Sequence, residues 1–301
     1  MNYDYICGMK QMILWASIAM LIVAGCAQPA EKQYVRKAVR IMDKDGLFAE
    51  GKTWEDARFV ALKAEPATME DAQDVVRKAL KVAGGKHSFL WTKDQMEERA
   101  AEDMETAPSV ELRDDGIAVI TLPHFSGQNQ ADNQRYALTV LNALPDSLSG
   151  VVIDLRGNTG GNMYPMIAAV HRFLPAGTLL RFKSRKHNMP VMKEYVLQMV
   201  AVEAQNQINC PVAILTDENT ASSGEAVLLC FRGLDYARSF GAPTAGYASA
   251  NQPKALPDGS QLVLTISCDI ARTGEIFCDD PIEPDVETAQ ALEDALVWLK
   301  Q

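Results

Sequence analysis

Thr216-Asp217-Glu218-Asn219-Thr220-Ala221-Ser222-Ser223-Gly224-Glu225 hands one apolar run directly to another through a pair of serines. Residues 211–215 read as a buried strand, and residues 226–231 read as the buried side of a helix that ends near Gly233. A serine at such a junction sits at a helix N-terminus, where free backbone N–H groups and the macrodipole favour a developing negative charge. An acyl-transfer nucleophile is useful in that place. The same letters, Ser222-Ser223-Gly224-Glu225, also fit the S-x-x-E capping box, in which the serine only satisfies orphan N–H groups. The rest of the chain decides between the two readings.

At 301 residues and 48% hydrophobic content the chain can bury one large core or two moderate ones. Its formal charge of −10 is spread among both signs, with no long basic run to follow a phosphate backbone and no acidic tail. Nucleic acid is therefore not an expected partner. Residues 12–24 are almost wholly apolar, follow Lys10, and are too short for a comfortable membrane span, as in a targeting segment. That segment ends in Val23-Ala24-Gly25-Cys26, which resembles the lipobox of bacterial lipoproteins. The resemblance implies that residues 1–25 are a lipoprotein signal peptide and that Cys26 becomes the lipidated first residue of a chain held at the bacterial cell envelope. An ordinary secretory signal or a signal anchor is the alternative. Ala27-Gln28 carries no acidic retention signal, which points to the outer membrane where one exists.

Outside the cytoplasm Cys210, Cys230, Cys268 and Cys278 can persist as disulfides. Cys268 and Cys278 flank Arg272-Thr273-Gly274, so a hairpin can set them opposite one another; four buried free thiols are the alternative. No C-x-x-C pair is present, so zinc is disfavoured, and neither a metal nor a cofactor is expected.

From about residue 32 to residue 105 the pattern is helical and charged, with Trp54, Phe59, Leu62, Val75, Val76, Leu80 and Val82 at helical spacing. Inside it Gly84-Gly85-Lys86-His87-Ser88-Phe89-Leu90 breaks the helix and starts an extended segment, placing His87 on a glycine-held turn. Residues 110–122 alternate and turn at Asp114-Asp115-Gly116, a hairpin leading to Pro123-His124-Phe125, where His124 is a second candidate base. A helix over 129–144 is followed by an apolar strand from Gly150, then by Gly157-Asn158-Thr159-Gly160-Gly161 and a helix over 163–173. That glycine turn has neither G-x-G-x-x-G nor a G-K-[ST] ending, so it is not a phosphate loop. It is a place where backbone N–H groups can face an anion. After a basic and then helical excursion over 181–207 come the Ser222 junction, short strands over 237–240 and 262–268, and a terminal helix. Strands separated by helices predict a mostly parallel α/β core.

Five segments in order resemble the C-terminal-processing, or tail-specific, serine peptidases. They are Asp154-Leu155-Arg156-Gly157-Asn158-Thr159-Gly160-Gly161, Thr220-Ala221-Ser222-Ser223-Gly224-Glu225, Gly241-Ala242-Pro243-Thr244-Ala245-Gly246, Leu256-Pro257-Asp258-Gly259 and Ile282-Glu283-Pro284-Asp285-Val286. The resemblance runs from about Gly116 to the C-terminus, with His87-Ser88-Phe89 as an outlying match. It implies an α/β, crotonase-like core over 108–301 preceded by a helical N-terminal lobe over 26–107 that carries His87. No PDZ domain fits between Gly85 and Val110.

The resemblance also implies roles. Ser222 falls on the nucleophile, and Ser223 supplies a backbone N–H to an oxyanion hole completed at Gly160 or Gly161. The main branch of the family carries a lysine base just after G-x-x-T-x-G, but Tyr247 stands there in this chain. The chain therefore resembles the tricorn-core and nisin-resistance branch, in which an upstream histidine is the base, and His87 fits better than His124. The residues themselves offer Asp279, Asp280, Glu283 and Ser88 as candidates for a third, orienting group; a solvated acidic turn is the alternative for the three acids. An imidazole of ordinary pKa predicts activity rising through roughly pH 6 to 7. Alanine at either glycine is expected to lower turnover and leave the fold intact.

The function expected is that of a lipid-anchored serine endopeptidase that cuts peptides or protein tails through an acyl-enzyme. The alternative is a catalytically inert peptide- or lipid-binding homologue, since retinoid-binding proteins of the vertebrate eye share this fold.

Overall fold

The computed structural model describes residues 29–102, 107–127 and 129–301; the expected signal peptide and Cys26 lie outside them. The strands in chain order are β1 Phe89–Trp91, β2 Ser109–Leu112, β3 Ile117–Thr121, β4 Gly150–Asp154, β5 Thr178–Ser184, β6 Asn188–Met192, β7 Val212–Thr216, β8 Ala237–Gly241, β9 Ser249–Ala255, β10 Gln261–Ile270, β11 Ile276–Phe277 and β12 Val286–Glu287. They form two sheets. The first has the order β12-β8-β7-β4-β3-β2 and is parallel except for β2, which pairs antiparallel with β3 across the Asp114-Asp115-Gly116 turn.

Strands β4 and β7 are buried at every position, because both faces of this sheet are covered. Successive residues point to opposite faces. Val151, Ile153, Val212 and Ile214 pack in one apolar cluster with the helices Gln130–Leu141, Met163–Ala169 and Ser223–Phe231. Val152, Ala213 and Leu215 pack on the other side, against the terminal helix Ala291–Trp298. A one-residue slip of either strand would exchange the two cores, so the register is strongly specified.

The second sheet was not foreseen as a separate layer. It is wholly antiparallel, runs β1-β10-β5-β6, and has the ten-residue β10 as its spine, with β9 and β11 also paired to it. The basic excursion after Arg181 is the β5–β6 hairpin followed by the helix Lys193–Val200. The N-terminal helices Ala30–Asp45 and Met69–Gly84 pack on this sheet and Gly51–Lys63 packs on those two helices, with Tyr34, Val35, Ala38, Val39 and Met42 forming one helical stripe on the first. Thr68 and Asp71 close a capping box at the start of the third helix.

The helical lobe shares its core with β10: Leu262 and Leu264 lie in the same cluster as Val76 and Leu80. Polar contacts add to the docking. Tyr34 Oη and Ser260 Oγ are 2.9 Å apart, Gln73 donates to Asp258, and Arg185 donates to the carbonyls of Ala49, Asp43 and Lys44. The Leu256-Pro257-Asp258-Gly259 motif is thus a docking turn for the helices. Cys268 and Cys278 form a disulfide with Cα atoms 4.6 Å apart, tying β10 to the segment after β11, while Cys210 and Cys230 are buried free thiols. Among the described residues no helix is long and apolar enough to cross a membrane.

Candidate active site

The glycine turn after β4, the serine junction after β7 and the turn after β8 meet at the carboxyl ends of the parallel strands. Asn158 fixes the first of these. It is fully buried, donates from Nδ2 to Leu122 O at 2.8 Å, accepts the Gly160 N–H on Oδ1 at 2.9 Å, and takes the Ala221 N–H on its own carbonyl at 2.9 Å. The turn and the serine junction are therefore one unit. Asp154 and Arg156 form a paired fork beside it, at 2.9 and 2.6 Å, and Asp217 accepts the Gly157 N–H.

Ser222 has φ +52, one of two positive values among non-glycine residues of the described chain. A left-handed conformation costs a residue with a side chain of order 1–3 kcal/mol, and such strain persists only where the surroundings enforce it. Glu225 does much of the enforcing. Fully buried, its carboxylate accepts the N–H groups of Ser222 at 2.7 Å, Tyr247 at 2.8 Å and Gly246 at 2.9 Å, together with the Thr244 hydroxyl. The glutamate half of the S-x-x-E pattern is thus present, and it reaches beyond the cap to the turn after β8. Burial raises the Glu225 pKa, and the four donors oppose that shift.

The two adjacent serines are sorted by their partners. Ser223 Oγ donates to Gly161 O at 2.7 Å, which spends its hydroxyl on the glycine turn. Its N–H is the first of the helix Ser223–Phe231 and has no acceptor within that helix. The glycines are sorted too. The Gly160 N–H is taken by Asn158. Gly161 is bridged to Phe125, but its neighbours make the bonds: Phe125 N–H to Gly160 O at 3.1 Å and Asn162 N–H to Phe125 O at 2.7 Å. Of the two N–H groups, that of Gly161 has no hydrogen-bond acceptor among the described residues.

His87 stands in the turn between the helix Met69–Gly84 and β1, after Gly85 at φ +69, where a Cβ would lie 2.7 Å from Asp279 Oδ2. The imidazole is buried, with Nδ1 2.8 Å from Ser249 Oγ, its ring edge-on to Tyr247 at 5.2 Å, and its backbone carbonyl accepting from Asn251 Nδ2 at 2.9 Å. The hydrogen-bond partner of the ring is thus Ser249, on β9. None of the four expected candidates is hydrogen-bonded to the ring. Ser88 Oγ lies between Gly84 O and Thr265, Asp279 packs on Gly85, and the backbone carbonyl of Glu283 accepts from Arg232. No hydrogen bond joins Asp280 to the ring among the described residues.

His87 and Ser222 line one cleft of about 870 Å3, together with Ser223, Gly161, Ser249 and Tyr247. His124 is half-buried and is not part of the cleft wall. Tyr247, at the position where the lysine-dependent branch keeps its base, supports the histidine ring instead, and Lys86 Nζ caps the tyrosine at 4.6 Å from its centroid. A neutral imidazole with Nδ1–H donated to Ser249 keeps its Nε2 lone pair for a proton from a nearby hydroxyl.

Burial, with Lys86 adding to it, lowers the His87 pKa to about 4. The sign of the consequence is direct. A base is active when unprotonated, so kcat/KM is expected to rise with pH through about 4, not through the ordinary imidazole range, and then to stay level across neutrality. Removing the cation with Lys86→Gln is expected to move that rise to higher pH. A pH–rate profile of both proteins checks it.

A strained serine opening a helix and a buried histidine that line one cleft are the parts a serine peptidase needs. The model for peptidase family S41 matches residues 116–288, and the chain belongs to that family. It is 34% identical over 282 residues to the nisin-resistance protein of Lactococcus lactis subsp. lactis, covering 90% of this chain and 88% of that one. It is 25% identical over 178 residues to the carboxy-terminal processing protease CtpA of Bacillus subtilis, a match that takes in 59% of this chain but 36% of the relative. Among solved structures, a lipoprotein from Streptococcus agalactiae aligns with TM-score 0.83 and 29% identity over 91% of this chain and 97% of the other. The photosystem II D1 C-terminal processing protease aligns with TM-score 0.59 and 15% identity over 86% of this chain and 93% of the other, a likeness of fold alone.

Proposed function

We propose that this chain is an extracytoplasmic, lipid-anchored serine endopeptidase that cleaves peptides or protein tails by acyl-enzyme chemistry on a crotonase-like core. Ser222 is the nucleophile and His87 the general base, oriented by Ser249. The N–H groups of Ser223 and Gly161 receive the oxyanion. The observation that carries the reading is the shared cleft, which joins a serine held at φ +52 to a buried histidine whose Nδ1 is already engaged. In the first step His87 Nε2 takes the hydroxyl proton as Ser222 Oγ attacks the carbonyl carbon. The imidazolium then returns that proton to the leaving amine, and water repeats the sequence on the ester.

An active-site-directed fluorophosphonate should label the native protein at Ser222 and leave Ser222→Ala unlabelled. Failure to label the native protein would favour the inert peptide- or lipid-binding homologue.

The membrane side of the reading rests on Lys10, the short apolar run and Val23-Ala24-Gly25-Cys26. The similar Streptococcus agalactiae chain, itself described as a lipoprotein, supports it. Mass spectrometry of membrane-extracted protein should find Cys26 as a lipid-modified N-terminus. An unmodified N-terminus at another residue would refute the anchor.

A further inference from the structure

The reading above leaves one buried group in the cleft unused. Asp269, on β10, lines the cleft, is 2% exposed, and has an Oδ1 with no hydrogen-bond partner among the described residues. A carboxyl so placed is costly to ionise unless a cation or a set of donors meets it. The charge of the cleft is one-sided. Besides Tyr164 and Tyr247, its ionisable lining is His87, Glu218 and Asp269; among the described residues no lysine or arginine lines it, and Lys86 stands over the outer edge of Tyr247.

The position of Asp269 is informative. It pairs across the sheet with Phe182 of β5, and both line the cleft with Ala226, one helical turn beyond Ser222. A small residue on the helix wall, an aromatic residue beside it and a carboxyl behind them make a pocket for a long side chain with a polar head. Such a side chain can lay its methylene stem on the ring and bring its charge to the acid. Two other uses of Asp269 fit less well. Among the described residues it is not hydrogen-bonded to His87 or Ser249, so it does not orient the base directly, and no lysine or arginine is paired with it. Burial, with Glu225 adding to it, holds its pKa well above the carboxylate range.

We infer that Asp269 is the counter-ion of a subsite beside Ser222 that takes a lysine or arginine side chain, so that this cleft prefers cationic peptides. The inference rests on the reading of the cleft as a peptide site. Its test is therefore made on binding, separately from turnover. Full-length Ser222→Ala protein is titrated calorimetrically with a blocked peptide and with a series in which lysine replaces norleucine at one position at a time. One position should show lysine binding at least about tenfold tighter than norleucine, which is about 1.4 kcal/mol. Asp269→Asn in the same background should bring that ratio to about one and leave the norleucine peptide unchanged, whereas Glu218→Gln should keep the ratio.

Equal binding of lysine and norleucine at every position, no binding of the lysine peptides, or a ratio that survives Asp269→Asn would overturn the subsite. The first two outcomes need no Asp269 variant, so they decide even if Asp269→Asn does not fold. Fluorophosphonate labelling of the native protein reports on the peptidase reading independently, so a labelled Ser222 with no lysine preference removes the subsite alone.

Discussion

His87→Ala is expected to lower kcat/KM as far as Ser222→Ala does, by roughly 10^4- to 10^6-fold, with the double variant little worse than either. The reason is that members of a catalytic unit fail together. Without the imidazole, the Ser222 hydroxyl has no acceptor for its proton; without the hydroxyl, the imidazole has nothing to deprotonate. Both side chains line the same cleft, and the neighbouring hydroxyl of Ser223 is committed to Gly161 O at 2.7 Å. Ser249→Ala should cost less than either, because it removes the partner of Nδ1 and leaves both reacting groups. His124→Ala should be near normal, since that ring is not part of the cleft wall. Steady-state kinetics on one peptide with the native protein and these five variants decides the matter. If His87→Ala keeps its rate while His124→Ala loses it, the base is misassigned.

The second large effect is expected at the glycine turn. Gly161 has φ +117, and a Cβ built there would lie 2.3 Å from Phe125 O, a backbone atom that cannot swing aside. Gly160 has φ +102, and its Cβ would meet the Cβ of Ser222 at 2.7 Å. Alanine at either position therefore combines backbone strain of order 1–3 kcal/mol with displacement of catalytic atoms. Turnover should fall by roughly tenfold to a thousandfold in both variants. The expectation from sequence that folding is spared does not survive this geometry, and both should also melt at lower temperature. The two differ in cause: Gly160→Ala pushes on the nucleophile, whereas Gly161→Ala moves the free N–H away from the oxyanion. Both variants should slow fluorophosphonate labelling along with peptide turnover, because the phosphonyl oxygen draws on the same N–H groups as the peptide oxyanion. Full turnover with unchanged melting in both variants would remove the glycine turn from the site.

How much of this was legible in the chain follows from the range of each interaction. The strand runs of β4 and β7 and the Asp114-Asp115-Gly116 hairpin were readable because period and turn chemistry are local. The Ser222 junction was readable for the same reason, and the Glu225 half of its box is present. The antiparallel second sheet was not. Its spine β10 draws partners from residues 89–91, 181–184, 249–255 and 276–277, pairings that no local pattern announces. Ser249 was missed on the same ground. It sits 162 positions from His87, among small residues with no motif of its own, and reaches the imidazole only because β9 and β1 flank β10. The acidic cluster drew attention by charge alone, yet Asp279 meets Gly85 and the Glu283 carbonyl meets Arg232. The histidine's pKa was misjudged because burial is a tertiary property: the glycine turn announces an exposed loop, and the β9 and β10 layer covers it.

The central claim, that Ser222 carries an acyl group through the reaction, is tested most directly by acid-quenching the native protein within its first turnover of an activated ester and mapping the adduct by mass spectrometry. The acyl group is expected on Ser222 alone, appearing as a burst that His87→Ala abolishes at neutral pH. Product release with no adduct on Ser222, or an adduct on Ser223 in its place, would contradict it.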